Sequence, residues 1–99
     1  MNKVINGRKY DTDNAKALHS IRHRIPGDLE YYEETLYFDG GKYFLHGHGG
    51  PMSHYSVQVE LNSWCSGSKI IPLSVQQAKE WCEEHLDGDE YEEIFGKIP

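Results

Sequence analysis

Apolar residues along the chain follow two spacings, period two for strands and i, i+3, i+4 for helices. Lys3-Val4-Ile5 and Arg8-Lys9-Tyr10 flank Asn6-Gly7, the pair best suited to the positive φ angles of a type I′ turn, which predicts a short β-hairpin. Beyond it, Thr12 offers a capping oxygen, and Ala15, Leu18 and Ile21 or Arg22 recur at helical spacing, predicting a helix that ends before Pro26-Gly27. From Asp28 to His48, two aromatic-rich runs surround Asp39-Gly40-Gly41, the signature of an antiparallel hairpin. A two-residue turn places Leu36, Phe38, Tyr43 and Leu45 on one face, the expected core side, and Glu33, Thr35, Tyr37, Phe44 and His46 on the other.

Residues 47–68 are rich in Gly and Ser and read as loop, with one short helical turn near Ser53. Lys69 to Leu73 reads as a strand. Ser74 with Gln77 forms a capping box that starts a helix running to about His85. Its apolar stripe is Val75, Ala78, Cys82 and Leu86 with Trp81 beside them; Gln76, Lys79, Glu80, Glu83 and Glu84 line the opposite face. After Gly88, a last helix is predicted from Asp89 as N-cap, with Glu92 at the reciprocal position, to Phe95, burying Tyr91, Ile94 and Phe95 and stopping at Gly96. The order ββα-ββ-βαα points to a single α+β domain over residues 1–99, with an antiparallel sheet of about five short strands and two or three helices on one face.

Ninety-nine residues cannot support two separate cores, and 12% aromatic content argues against a disordered chain. The longest apolar runs fall far short of the roughly 20 residues of a membrane helix, and the N-terminus has no apolar signal-peptide core, so a cytosolic protein is expected.

Charge placement changes the picture more than the net −6 does. Residues 1–73 carry eight acids and eight bases, so the whole excess lies in residues 74–99, where Glu80, Glu83, Glu84, Asp87, Asp89, Glu90, Glu92 and Glu93 face only Lys79 and Lys97. Residues 1–24 lean basic, so the chain is electrically polar along its length. The pairs Glu80/Glu84 and Glu83/Asp87 are like charges at i, i+4, each costing roughly 0.2–0.5 kcal/mol. Glu83 and Glu84 also occupy a last helical turn, where the dipole favours cations by about 0.3–1 kcal/mol. Two readings follow: a solvated face that aids solubility, or a phosphate-like array presented to a basic groove on a partner.

Other chemistry is thinner. His46 and His48 share a strand face, with Glu33 on the neighbouring strand opposite one of them, a set that could bind zinc or divide acid and base roles. Gly47 to Gly50 lacks both the P-loop Lys-Ser/Thr and the GxGxxG spacing, and no GxSxG elbow occurs. Cys65 and Cys82 fit neither a zinc site nor a disulfide framework; Cys82 reads as a small hydrophobe on a buried stripe. Arg8, Lys9, Lys16, Arg22, His23 and Arg24 could form a basic patch, but the acidic block opposes nucleic-acid binding, and pairing of the two charge poles within the monomer or between subunits is the simpler expectation.

The segments Val4-Ile5-Asn6-Gly7 through Tyr10-Asp11-Thr12, Glu33-Glu34-Thr35-Leu36-Tyr37, Tyr43-Phe44-Leu45-His46-Gly47 with Gly49-Gly50-Pro51-Met52-Ser53, and Ile70-Ile71-Pro72-Leu73-Ser74 together resemble one family. They are similar to small acidic proteins of phages and mobile elements of Gram-positive bacteria, some of which are anti-CRISPR proteins that inhibit type II-A Cas9. The resemblance runs from Val4 to Gly96. It implies a non-enzymatic inhibitor without cofactor or catalytic residue, acting in the bacterial cytoplasm on Cas9 or its guide-RNA complex, with a homodimer left open. It carries no binding residue over by position, and an acidic residue is expected in relatives where this chain has His48. Combined with the charge layout, it makes Glu80, Glu83, Glu84, Glu90 and Glu93 the candidate partner contacts. The alternatives are a small metal-dependent nuclease acting on guide RNA through Glu33, His46 and His48, and an interaction module of a mobile element with another partner.

Overall fold

Short hairpins and two C-terminal helices build the molecule, which is seen in a computed structural model describing residues 1–98. β1 (Asn2–Ile5) and β2 (Arg8–Asp11) pair across Asn6-Gly7, whose φ angles of 51° and 77° are those the sequence predicts for this turn. Next comes β3 (Lys16–His23), a strand where a helix is predicted. β4 (Tyr32–Asp39) and β5 (Lys42–Gly49) form the expected hairpin, with Leu36 opposite Leu45 and Phe38 opposite Tyr43. β6 (Val57–Glu60) and β7 (Ser63–Cys65) make a small separate hairpin inside the segment predicted to be loop, and β8 (Gly67–Leu73) follows. The chain closes with α1 (Val75–His85) and α2 (Gly88–Phe95). The fold is therefore α+β, with an antiparallel four-stranded sheet in the order β3-β4-β5-β8 and two helices.

The missing first helix has an identifiable cause. Pairing of β3 with β4 shifts register between Ala17 and His19, so Leu18 is an extra, bulged residue. The bulge turns Leu18 and Ile21 to the same side, and both pack on the main core. Three-residue spacing, which reads as helical in an unbroken chain, here belongs to a bulged strand. Thr12 caps nothing: its hydroxyl donates to the Met1 carbonyl at 3.1 Å, while Asp11 accepts from the Asp13 N–H at 3.0 Å to form the turn.

Both sheet faces are covered, but by different elements. The face with Leu36 and Leu45 packs under α1 and α2 against Ala78, Trp81 and Cys82. On the other face Phe44, fully buried, joins Ile70 and Tyr10 of the β1–β2 hairpin, so the predicted core side is one of two. The rest of that second face, around Arg22, Glu33, His48 and Ser68, forms one row across the four strands.

α1 starts at Ser74 as predicted: the Ser74 hydroxyl accepts from the Gln77 N–H at 3.1 Å, and Gln77 Oε1 accepts from the Ser74 N–H at 2.8 Å. It ends at Leu86, before Gly88. The second helix begins two residues earlier than predicted. Asp87, not Asp89, is its N-cap and Glu90, not Glu92, the reciprocal partner. Asp89 lies instead in the first turn, where the helix dipole favours an acid. Gly96 ends α2 at φ 89°.

Candidate partner-binding surface

The first acidic helix, α1, is hydrogen-bonded to the sheet through a buried carboxylate. Glu34 shares the inward face of β4 with Leu36 and lies opposite Gly47 on β5. A Cβ at Gly47 would overlap the Tyr55 ring, so the absent side chain lets this fully buried ring pack against the strand. Its hydroxyl donates to Glu34 Oε2, the Trp81 indole N–H of α1 donates to Glu34 Oε1 at 3.2 Å, and His54 Nε2 lies 3.4 Å from Oε2. Burial first, then the Glu34 hydrogen bond and charge, raise the Tyr55 hydroxyl pKa and keep it a donor. Among the described residues no lysine or arginine pairs with Glu34; the Tyr55 hydroxyl and the Trp81 indole N–H donate to it. Sequence reasoning missed this residue, although its alternation with Leu36 marks it as inward-facing.

With Trp81, Ala78 and Cys82 committed to the core, helical geometry sends Glu80, Glu83 and Glu84 outward, and all three are exposed. On α2, Tyr91, Ile94 and Phe95 dock inward, leaving Asp89 and Glu93 exposed, with Asp87 exposed at the junction. Among the described residues, none of these six carboxylates forms an ion pair with a lysine or arginine. Glu80 accepts a 3.3 Å hydrogen bond from Gln76, and Glu84 lies 4.0 Å from His85 Nε2. Lys79, the one lysine or arginine of α1 and α2, sits 5.8 Å from the Phe95 ring centre instead of meeting a carboxylate. Burial, then the charge of Glu83, raises the Tyr91 pKa, and the two residues line the same groove.

Glu90 stands apart from the other predicted contacts. It is half-buried, its Oε1 accepts from the Asp87 N–H at 3.3 Å, and its Oε2 lies 3.7 Å from His19 Nδ1 of β3. It positions α2, whereas Asp87 and Asp89, not among the predicted contacts, belong to the exposed surface.

The basic pole does not neutralise the acidic one. Arg24 pairs with Glu30 at 2.9 Å and Asp28 at 3.7 Å, and Lys9 lies 3.9 Å from Asp11, so these bases meet acids of their own half. Arg8 and Lys9 sit on β2, while Lys16, Arg22 and His23 sit on β3, so the six predicted basic residues span two separate hairpin systems.

Glu33 does lie opposite His48 on the second sheet face, while His46 faces Thr35. The two imidazole rings are 6.1 Å apart, and Glu33 Oε2 accepts the Tyr31 hydroxyl at 3.0 Å. Burial, then the neighbouring His48, lowers the His46 pKa. Among the described residues no three His, Cys, Asp or Glu side chains gather closely enough to hold a metal, so the three candidates share a face without converging.

Cys82 is fully buried and burial pushes its pKa up to about 11, whereas Cys65 is exposed on β7. A thiol-reactive disulfide reagent is expected to label one cysteine per native chain and two after denaturation; fast labelling of both in the native protein would show that α1 does not stay docked. No helix among the described residues is long and apolar enough to cross a membrane. Comparison with protein-family models, curated proteins and solved structures finds no match to this chain.

Proposed function

We propose that this protein is a non-enzymatic anti-CRISPR inhibitor of the bacterial cytoplasm, binding type II-A Cas9 or its guide-RNA complex through the carboxylates of α1 and α2. The observation that carries the reading is the outward set Glu80, Glu83, Glu84, Asp87, Asp89 and Glu93, which meets no lysine or arginine among the described residues. On α1, Glu80 and Glu84 repel at i, i+4 and Glu83 and Glu84 sit at the C-terminal end, which strains that helix, whereas Asp87 and Asp89 are favourably placed at the start of α2. A basic channel that ordinarily holds nucleic acid would relieve that repulsion on binding, and the acidic surface would compete with RNA or DNA for it. The choice of Cas9 among basic partners comes from the sequence resemblance. Glu90 serves this surface by capping and placing α2.

Pull-down with Cas9 and a DNA-cleavage assay test the proposal. Reversing Glu80, Glu83, Glu84 and Glu93 to lysine should weaken binding more than about 100-fold, because like charges juxtaposed across an interface cost several kcal/mol. Wild-type association should slow steeply as salt rises. Inhibition that survives the reversal sinks the mechanism. The second reading, an interaction module with another partner, draws on β6–β7, where Val57, Val59, Leu61 and Trp64 are all exposed. Cas9 binding unaffected by the reversal would move the contact to this hairpin, and no Cas9 binding at all would favour a different partner.

A further inference from the structure

Between the end of α1 and the start of α2 lies a groove of about 320 Å³, lined by the apolar side chains of Leu86, Tyr91 and Ile98, by Gly88, and by the carboxylates of Glu83 and Asp87. Most of its side-chain wall is hydrocarbon, yet it carries two acids, and this combination restricts what can enter. An anion would be repelled. A purely apolar side chain would strip water from both carboxylates and offer no donor in exchange. A long basic side chain meets both demands, its methylene stem lying along Leu86 and Ile98 while its charged head reaches the acids.

We infer that this groove takes an arginine side chain projecting from the partner's basic surface. The inference rests on the proposed acidic docking of α1 and α2 and names the contact at which that docking becomes selective. Arginine suits the groove better than lysine. Its planar guanidinium stacks on an aromatic ring such as Tyr91, and its five N–H donors can serve two carboxylates together. Asp87 keeps an oxygen for this task, because only Oδ1 is used in accepting the Glu90 N–H at 2.8 Å. Among the described residues no lysine or arginine of the chain itself occupies either carboxylate. The carbonyl end of α1, closing at Leu86, adds negative potential. The opposing positive pole of α2 is offset by Asp87, Asp89 and Glu90 in its cap and first turn.

The test is an NMR titration of the isotope-labelled full chain with short Gly/Ser peptides carrying one central arginine, lysine or citrulline. Arginine should shift the amides of Gly88, Tyr91 and Ile98 in a saturable way. Lysine should bind more weakly, and citrulline, which keeps the shape without the charge, should not bind. Glu83→Gln and Asp87→Asn should each weaken the arginine peptide about two- to fivefold. Asparagine caps a helix as well as aspartate does, so Asp87→Asn removes the charge while α2 stays intact. Equal shifts from citrulline, or diffuse shifts along Glu80, Glu84 and Glu93 with none in the groove, overturn the inference. Failure of the Cas9 reading looks different: arginine peptides would still fill the groove while Cas9 is not retained. Cas9 binding that is lost on charge reversal yet indifferent to Glu83→Gln with Asp87→Asn would sink the groove and leave the acidic surface standing.

Discussion

Replacing Gly47 with alanine is expected to destabilise the protein by about 3 kcal/mol, the upper end of the usual cost of overpacking. The new methyl would overlap the Tyr55 ring, which is fully buried and tied by its hydroxyl to Glu34, so the ring has no free direction of retreat. For a domain of this size a loss that large lowers the melting temperature by more than about 10 °C. Thermal or urea unfolding checks it, with a double-mutant cycle to identify the cause. Tyr55→Ala is itself damaging, but once the ring is gone Gly47→Ala should cost much less than it does alone. An alanine at Gly47 costing under about 1 kcal/mol in the wild-type background would mean that Tyr55 can move aside without loss.

Removal of the Glu34 carboxylate should have an effect of similar size. Glu34→Ala leaves the Tyr55 hydroxyl and the Trp81 indole N–H without their acceptor, and each buried donor left unpaired costs about 1–3 kcal/mol, so a loss of about 2–6 kcal/mol is expected. The consequence reaches function, because Trp81 is the point at which α1 is hydrogen-bonded to β4. Hydrogen exchange should show α1 amides losing protection before those of the β4–β5 hairpin. Exchanging partners together, Glu34→Leu with Tyr55→Phe, should recover part of the loss, since no Tyr55 hydroxyl is then left unsatisfied. If the double variant is as unstable as Glu34→Ala, the carboxylate matters for something other than these donors.

How much of this was legible beforehand depended on how local the cause was. Asn6-Gly7, Gly40-Gly41 and the Ser74/Gln77 box act over two to four residues, and each formed where its residues predicted. Leu18 and Ile21 misled because a bulge in a strand and a turn of helix both bring residues three apart to one side, and only pairing with β4 distinguishes them. Asp87-x-x-Glu90 and Asp89-x-x-Glu92 are overlapping versions of one capping pattern, and both sequences can start a helix. In the folded chain Tyr91, Ile94 and Phe95 pack on the core and the earlier pair makes the box. The β6–β7 hairpin was hidden because its Val57–Glu60 strand is wholly exposed, which leaves no hydrophobic alternation of buried and open positions to read.

For the candidate surface the division is similar. Counting acids locates the charge in the last quarter, and helical periodicity selects Glu80, Glu83 and Glu84 as outward-facing. That Glu90 turns inward to His19, that Lys9 meets Asp11 and that Arg24 meets Asp28 and Glu30 could not be read from spacing.

Chain order alone therefore determined the turns, the first helix cap, the face of the β4–β5 hairpin and the position of the acidic block, because each depends on neighbours a few bonds away. Tertiary structure decided the packing of the β1–β2 hairpin on the second sheet face, the identity of β3, the Glu34–Tyr55–Trp81 link and, among the described residues, the separation of the outward carboxylates from lysines and arginines. Those depend on groups as far as 47 positions apart meeting in space, and Coulomb and hydrogen-bond energies act over distance in the fold, not along the chain.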